Sequence, residues 1–203
     1  MIVAKSNLEV AIKASLHAGK EIIRIYNDTK ADLELELKTD DSPLTVADRN
    51  ANEVILSYLS QTSFPVLSEE GGEFPYEVRK DWALFWMVDP LDGTKDFLRR
   101  NGEFTVNIAL ISNREPVLGV IYIPDRQVLY FAEKGSGAFK ITDVVWDDAA
   151  DWNKLLLRAV KLPLPMYREG VIVASSRSYV NVHVAAFVDN LREQGSEVTL
   201  LVC

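Results

Sequence analysis

Apolar residues recur at three- and four-residue steps in two stretches near the N-terminus, which predicts two amphipathic helices. The first begins at an S-x-x-E capping box formed by Ser6 and Glu9, and it extends to about Tyr26. The second begins near Thr45. In the polar segment between them, residues 33–38 (LELELK) alternate strictly, which indicates a half-buried strand or hairpin arm.

The middle of the chain consists of apolar runs that are typical of β-strands. A short run, residues 64–68 (FPVLS), leads into a glycine-rich turn, and the almost wholly apolar residues 82–88 (WALFWMV) predict a strand that is buried on both faces. Three further β-rich runs cover residues 104–111, 116–124 and 127–139. Because the segments between them are short, we expect an antiparallel meander.

The C-terminal part of the chain predicts a strand, a helix and a second strand, with Gly195 just beyond the helix. Residues 142–168 are polar and interrupted by proline, which is typical of a connection. We therefore expect a first domain over residues 1–141 and a second α/β domain over residues 169–203. An apolar edge strand at a terminus is unusual, so we expect that this second domain is incomplete.

Composition and charge limit the classes of protein to which the chain can belong. The net charge of −8 disfavours a nucleic-acid partner, because the overall field repels phosphate backbones. The single cysteine, Cys203, excludes an intramolecular disulfide and fits a reducing compartment. No signal peptide and no transmembrane segment is evident. We expect a cytoplasmic protein, with peripheral association at the inner membrane as an alternative.

The clearest chemical signal is residues 87–97 (MVDPLDGTKDF), which begin in the last two residues of the apolar run 82–88. The Leu91 carbonyl lies between two carboxylates, Asp89 and Asp92. Such hard oxygen ligands suit Mg²⁺ better than Zn²⁺. Gly93 permits a sharp turn, and Thr94 could open a helix whose free N–H groups face an anion.

The same D-P-x-D-G sequence is also a good turn, in which the aspartate side chains accept hydrogen bonds from nearby backbone groups. Taken alone, it does not decide between a turn and a metal site. Glu69 and Glu70, at the end of another apolar run, favour the metal site over the simple turn. Carboxylates at the ends of two separate apolar runs are difficult to explain as ordinary loop residues, so we favour the metal site.

Residues 68–70 (SEE), 86–97 (WMVDPLDGTKDF) and 100–111 (RNGEFTVNIALI) resemble the inositol monophosphatase superfamily of Mg²⁺-dependent phosphatases. Within it, Lys95, Phe97 and the NGEFTVNIAL segment resemble the bacterial 3′(2′),5′-bisphosphate nucleotidases. The resemblance implies a layered α/β sandwich of the α+β kind, in which N-terminal helices pack on a large antiparallel sheet and a smaller α/β domain follows. The implied reaction removes the 3′-phosphate of adenosine 3′,5′-bisphosphate to give AMP, in sulfur assimilation or nucleotide recycling.

The resemblance also implies roles for individual residues. It implies a site with about two or three Mg²⁺ ions, whose ligands are Glu69, Asp89, the Leu91 carbonyl and Asp92. Asp48 and Thr94 would orient and deprotonate the attacking water, and Glu69 would be the third catalytic residue. The implied substrate-binding positions are Leu91, Asp92, Gly93, Thr94, Lys38, Ser176 and Arg177.

Structural explanations of the same residues stay open. Asp48 lies three residues after Thr45, where an acidic side chain also complements the helix dipole. Lys38 could be a solvated surface lysine, and Arg177 could be an ordinary loop arginine.

The family pattern includes a later W-D-x-A-A-G segment whose aspartate completes one metal site. We expect that this sequence stops before it. Residues 146–151 (WDDAAD) are not expected to replace it, because they precede the strand–helix–strand unit and place Asp151 where the family has glycine. Two alternatives to the nucleotidase therefore stay open: a truncated, impaired homologue that retains weak metal or nucleotide binding, and an inositol monophosphatase. A homodimer is also left open.

Overall fold

The computed structural model describes residues 6–28, 36–37, 43–72, 74–145, 152–163, 170–175 and 182–202. The chain divides into two compact units, Met1–Pro163 and Leu164–Cys203. None of the described helices combines the length and the apolar character that crossing a membrane requires.

The first unit contains most of the secondary structure. Its helices are α1 (Asn7–Asn27), α2 (Val46–Leu59), α3 (Tyr76–Arg79), α4 (Thr94–Leu98) and α5 (Trp152–Leu156). Its strands are β1 (Glu36–Leu37), β2 (Pro43–Leu44), β3 (Val66–Ser68), β4 (Leu84–Asp92), β5 (Thr105–Ser112), β6 (Glu115–Ile123), β7 (Val128–Glu133), β8 (Gly137–Ile141) and β9 (Val160–Lys161).

Both predicted N-terminal helices are confirmed, and hydrogen bonds fix where they begin. The Ser6 hydroxyl accepts from the Glu9 backbone N–H at 3.1 Å at the start of α1. At the other end of α1, the Arg100 guanidinium donates to the Tyr26 carbonyl and lies over the Tyr26 ring. A cation at this end of a helix complements the negative end of its dipole.

The two helices pack against each other and against the sheet, α1 on β5 and β6 and α2 on β4. Along β5 and most of β6 every second side chain is buried against the helices, which is the period of two that a half-buried sheet requires. The buried positions in β5 and β6 are Val106, Ile108, Leu110, Leu118, Val120 and Tyr122. Each such side chain contributes roughly 1.5–3 kcal/mol by leaving water.

The sheet has seven strands in the order β3-β4-β5-β6-β7-β8-β9. β3 pairs with β4 in parallel, and all later pairs are antiparallel. The predicted meander is therefore confirmed, with residues 127–139 divided between β7 and β8. The short strands β1 and β2 pair separately, with Glu36 opposite Leu44.

The expectation that residues 82–88 form a strand buried on both faces is wrong. Trp86 and Val88 are buried towards the helices, whereas Met87 points to the opposite face and is 46% exposed. The strand lies in a largely antiparallel sheet, and such a sheet can keep one face open.

The second unit confirms the predicted strand–helix–strand pattern. β10 (Val171–Ser175) and β11 (Val198–Val202) are parallel, and α6 (Val182–Glu193) connects them. The Gly195 N–H donates to the Arg192 carbonyl at 2.9 Å, and the Ser196 N–H donates to the Leu191 carbonyl at 3.1 Å. These two bonds form a Schellman motif, which requires the left-handed φ of 84° that Gly195 adopts.

Gly19 allows α1 to approach β6 closely. A Cβ atom at this position would lie 2.4 Å from the Tyr122 ring, closer than van der Waals contact permits. We expect Gly19→Ala to lower the free energy of unfolding by about 1–2 kcal/mol, since overpacking outweighs the better helix propensity of alanine. Thermal unfolding of the variant measures this.

Gly119→Ala is the matched control, because a Cβ at Gly119 meets nothing within 4 Å. It should leave stability unchanged or raise it by about 0.5 kcal/mol. Equal melting temperatures for the two variants would contradict the packing argument.

Candidate active site

The first turn of α2 fixes the carboxylate of Asp48. Thr45 caps the helix: its side-chain oxygen accepts from the Ala47 N–H at 3.2 Å. The Asp48 Oδ2 atom accepts from both the Thr45 N–H, at 2.8 Å, and the Thr45 hydroxyl, at 2.5 Å. Asp48 is only 1% exposed, so these bonds replace the water that its carboxylate loses.

The other oxygen of Asp48 connects α2 to α4. Its Oδ1 atom accepts from the Thr94 hydroxyl at 3.1 Å, across 46 residues of sequence. The same hydroxyl lies 3.3 Å from the Leu91 carbonyl. The structure thus brings together the two residues that the resemblance pairs. Burial raises the pKa of Asp48, and the hydrogen bonds from Thr45 and Thr94 act in the opposite direction.

Asp89 and Asp92 lie in β4 on either side of a β-bulge. Asp89 pairs with Asn107 and Asp92 pairs with Thr105, so β4 has one residue more than β5 in this interval. Residues three apart in a regular strand point to opposite faces. The bulge removes this alternation, and both carboxylates line the same depression. Pro90 fits the bulge because it has no N–H to leave unpaired.

Glu69 follows β3 and lies beside Asp89. Its backbone N–H donates to the Val88 carbonyl at 3.0 Å, which continues the parallel pairing of β3 with β4. Burial, the negative charges of Glu69 and Asp92, and a hydrogen bond with Glu69 raise the pKa of Asp89 to about 7. Negative charge is therefore crowded at this end of the sheet.

The donor atoms suit a hard divalent cation, but the described side chains do not form a closed ligand set. Carboxylates and a backbone carbonyl are the ligands that Mg²⁺ prefers. Among the described residues, however, no group of three or more His, Cys, Asp or Glu side chains has an arrangement that could hold a metal ion. Glu69, Asp89 and Asp92 nevertheless line one depression, so the donors present there fit a hard divalent cation in chemical type.

Gly93 makes the turn from β4 into α4 possible. Its φ is 93°, and a Cβ atom there would lie 2.7 Å from the Glu103 carbonyl oxygen. Only glycine fits such a position without strain. Phe97, one turn into α4, is 2% exposed and contacts the rings of Tyr26 and Phe104. The aromatic contacts therefore fix the short helix that begins at Thr94.

The carboxylates border an open depression of about 850 Å³ on the face of the sheet opposite the helices. Its two ends differ in character. The polar end consists of Ser68, Glu69, Asp89, Asp92, Thr105 and Asn107, and the remaining lining includes Met87, Ala109, Gly119 and Ile121.

Sequence reasoning missed two asparagines next to these residues. Asn107 donates to Asp92 Oδ2 at 3.2 Å, and its own carbonyl oxygen accepts from the Thr105 hydroxyl at 3.1 Å. Asn52 bonds the turn that carries Glu69. The signals were present, because Asn107 belongs to the NGEFTVNIAL segment and Asn52 lies one helical turn after Asp48.

Some predicted positions lie outside the described residues. They are Lys38, Ser176, Arg177 and the segment 146–151. Their roles stay predictions.

Comparison with known proteins relates the chain to one family. Residues 4–182 match the model of the inositol monophosphatase family. The 3′(2′),5′-bisphosphate nucleotidase CysQ of Salmonella typhimurium is 40% identical over 189 residues, which are 92% of this chain and 70% of that protein. The protein of the same name from Escherichia coli K12 is 38% identical over the same shares.

Solved structures of proteins from the same family also match the chain. CysQ from Bacteroides thetaiotaomicron, described as a bacterial member of the inositol monophosphatase family, matches with a TM-score of 0.85 and 43% identity, over 100% of this chain and 74% of that one. The suhB protein of Bartonella henselae matches with a TM-score of 0.68 and 31% identity, over 95% and 68% of the two chains. The predicted fold class is therefore confirmed.

The raised pKa of Asp89 predicts how stability depends on pH without metal. An aspartate whose pKa is about 7 in the folded protein and 3.8 in its ordinary, unperturbed state stabilises the fold when protonated, and this stabilisation is lost as pH rises from about 4 to 7. We expect Asp89→Asn to be more stable than the parent protein at pH 8 in EDTA, by about 1–2 kcal/mol after allowance for solvent screening. The difference should decrease towards pH 5.

Denaturant unfolding at both pH values measures this difference. The exposed Asp81 supplies the control, since Asp81→Asn should change stability by less than about 0.5 kcal/mol at either pH. A difference between Asp89→Asn and the parent that did not change with pH would refute the prediction.

Proposed function

Because the chain belongs to the inositol monophosphatase family of phosphatases, we propose that it is a Mg²⁺-dependent 3′(2′),5′-bisphosphate nucleotidase. The proposed reaction uses water to release the 3′-phosphate of adenosine 3′,5′-bisphosphate, giving AMP and inorganic phosphate. The names of relatives at 38–40% identity support this substrate class. A cytoplasmic role in sulfur metabolism or nucleotide recycling belongs to the same proposal.

The hydrogen bond between Thr94 and Asp48 is the structural observation that most strongly supports the proposal. It places a hydroxyl group, hydrogen-bonded to a buried carboxylate, two residues after Asp92 and just beyond the end of the strand that also carries Asp89. Phosphate monoesters hydrolyse extremely slowly without a catalyst, so a positioned water and neutralised phosphate charge are both required. The site has groups suited to each requirement.

Glu69, Asp89, the Leu91 carbonyl and Asp92 would hold Mg²⁺ in this proposal. When bound, the ions would neutralise phosphate oxygens and lower the pKa of water. They would also allow an anionic nucleotide to approach a cluster of carboxylates, because the cation reverses the sign of the local field. The chain's net charge of −8 makes this reversal necessary.

Asp48 and Thr94 would together remove the proton of the attacking water. The Thr94 hydroxyl donates its hydrogen to Asp48 Oδ1, which leaves its oxygen lone pairs able to accept a hydrogen bond from water. Burial raises the pKa of Asp48, and a carboxylate with a raised pKa is a stronger base. Thr45 occupies the other oxygen, so the proton would arrive through Thr94.

The scissile phosphate would lie against the backbone of Gly93 and Thr94. The first N–H groups of a helix lack partners within the helix and favour anions. Lys38, Ser176 and Arg177 stay the predicted contacts elsewhere on the substrate.

A second candidate function is binding of metal or nucleotide without turnover. One observation favours the loss of turnover: the described side chains do not form a closed metal centre, and a weakly held cation would leave the phosphate without the charge neutralisation that hydrolysis requires. Activity measurements distinguish the two candidates.

Phosphate release from adenosine 3′,5′-bisphosphate should depend on Mg²⁺, and Asp48→Asn should lower kcat by about 10²–10⁴-fold, the usual contribution of a general base. Thr94→Val should act in the same direction, whereas Thr94→Ser should retain most activity because it keeps the hydroxyl. Asp92→Asn supplies the inactive reference. If phosphate release does not exceed that reference at any Mg²⁺ concentration, the enzyme hypothesis is refuted and binding without turnover is the candidate that stays.

Competition between two substrates in one assay tests the substrate class. We expect adenosine 3′,5′-bisphosphate to be hydrolysed in preference to inositol 1-phosphate by at least about tenfold in kcat/KM, a difference of about 1.4 kcal/mol in the barrier. Preference for inositol 1-phosphate would support the inositol monophosphatase alternative instead.

A further inference from the structure

Asn52 makes buried hydrogen bonds that the proposed chemistry does not use. The residue is only 7% exposed, so both ends of its amide need partners within the protein. Its Oδ1 atom accepts from the Ser68 hydroxyl at 2.7 Å, and its Nδ2 atom donates to the Glu70 carbonyl at 3.1 Å. The partners are therefore the residues immediately before and after Glu69.

These bonds form a closed ring beside Glu69. The Glu70 N–H donates to the Ser68 hydroxyl oxygen at 3.3 Å, which joins the two partners of Asn52 to each other. The Gly71 N–H donates to the Ser68 carbonyl at 3.1 Å and closes the turn. On the opposite side, the Glu69 N–H donates to the Val88 carbonyl. The backbone of Glu69 is thus fixed by α2 and by β4 together.

The ring requires an amide at position 52. Asparagine has a donor and an acceptor on one short side chain, and the ring uses both. Aspartate would place a second oxygen against the Glu70 carbonyl, and leucine would leave Ser68 and Glu70 without these partners. Because Asp48 and Asn52 are four residues apart, they lie on one face of α2. This face contacts both Thr94 and the Glu69 turn.

We propose that Asn52 is a positioning residue that sets the Glu69 carboxylate beside Asp89, through its hydrogen-bonded ring with Ser68 and Glu70, and thereby determines how tightly the site binds a divalent cation. The inference rests on the proposed role of Glu69 as a metal ligand. Asn52 acts only through the backbone around Glu69. Residues that orient metal ligands in this way commonly change metal affinity by about 10–100-fold.

Binding of Mn²⁺ to the purified full chain, followed by electron paramagnetic resonance of free Mn²⁺, tests the proposal without relying on activity. Asn52→Leu should raise the apparent dissociation constant for Mn²⁺ by about tenfold or more. Ser68→Ala opens the same ring from the other side and should change the constant in the same direction.

Asn50→Ala is the matched control. Asn50 lies on the same helix, but its side chain donates a hydrogen bond to Glu21 of α1 at 3.0 Å and takes no part in the ring formed with Ser68 and Glu70. Its removal should change the constant by less than about twofold.

Kinetics separate positioning from a general loss of structure. In Asn52→Leu, the Mg²⁺ concentration for half-maximal activity should rise by about tenfold, while kcat at saturating Mg²⁺ should stay within about threefold of the parent. A purely structural role would lower thermal stability in EDTA without moving metal affinity. If Asn52→Leu does not fold, Ser68→Ala provides the same measurements.

Unchanged Mn²⁺ affinity in a folded Asn52→Leu or Ser68→Ala variant would overturn the inference, as would an absence of Mn²⁺ binding by the parent chain. A parent chain that binds Mn²⁺ without hydrolysing the nucleotide would contradict the proposed function and leave the role of Asn52 intact. The two failures are therefore distinguishable.

Discussion

The burial of one carboxylate, Asp48, is the constraint on which the rest of the site depends. A charged group excluded from water is tolerated only when hydrogen bonds replace its hydration. Thr45 supplies two of these bonds from the same helix turn, and Thr94 supplies the third from a distant element. The contact that stabilises the carboxylate is thus also the contact that holds α2 beside the turn after β4.

Two backbone devices place the other carboxylates near this contact. The bulge in β4 brings Asp89 and Asp92 to one depression, and Gly93 turns the chain sharply into α4. The parallel pairing of β3 with β4 adds Glu69. Burial, together with the negative charges of Glu69 and Asp92, raises the pKa of Asp89, and this is the electrostatic condition under which a bound cation contributes most. Stability without a cation and affinity for one are therefore opposed at this residue.

Local sequence patterns predicted the helices and strands well. They did not predict the contacts between residues that are distant in sequence. The helix N-caps at Ser6 and Thr45 and the helix end at Gly195 depend on residues within one or two turns, so their patterns were sufficient. The exposure of Met87 was predicted wrongly, because an apolar run does not reveal whether one or both faces of a strand are covered. The resemblance implied the pairing of Asp48 with Thr94, but no local pattern requires it.

The sequence by itself determined the helices, the meander, the family resemblance and the chemical type of the candidate ligands. These properties follow from short-range periodicity and from motifs whose residues are adjacent. Only the tertiary structure decided that the bulge aligns Asp89 with Asp92, that Asn107 bonds Asp92, and that Asn52 joins α2 to the Glu69 turn. The physical reason is that a hydrogen bond between distant segments depends on strand register and helix packing, and both are set by the burial of the whole apolar surface.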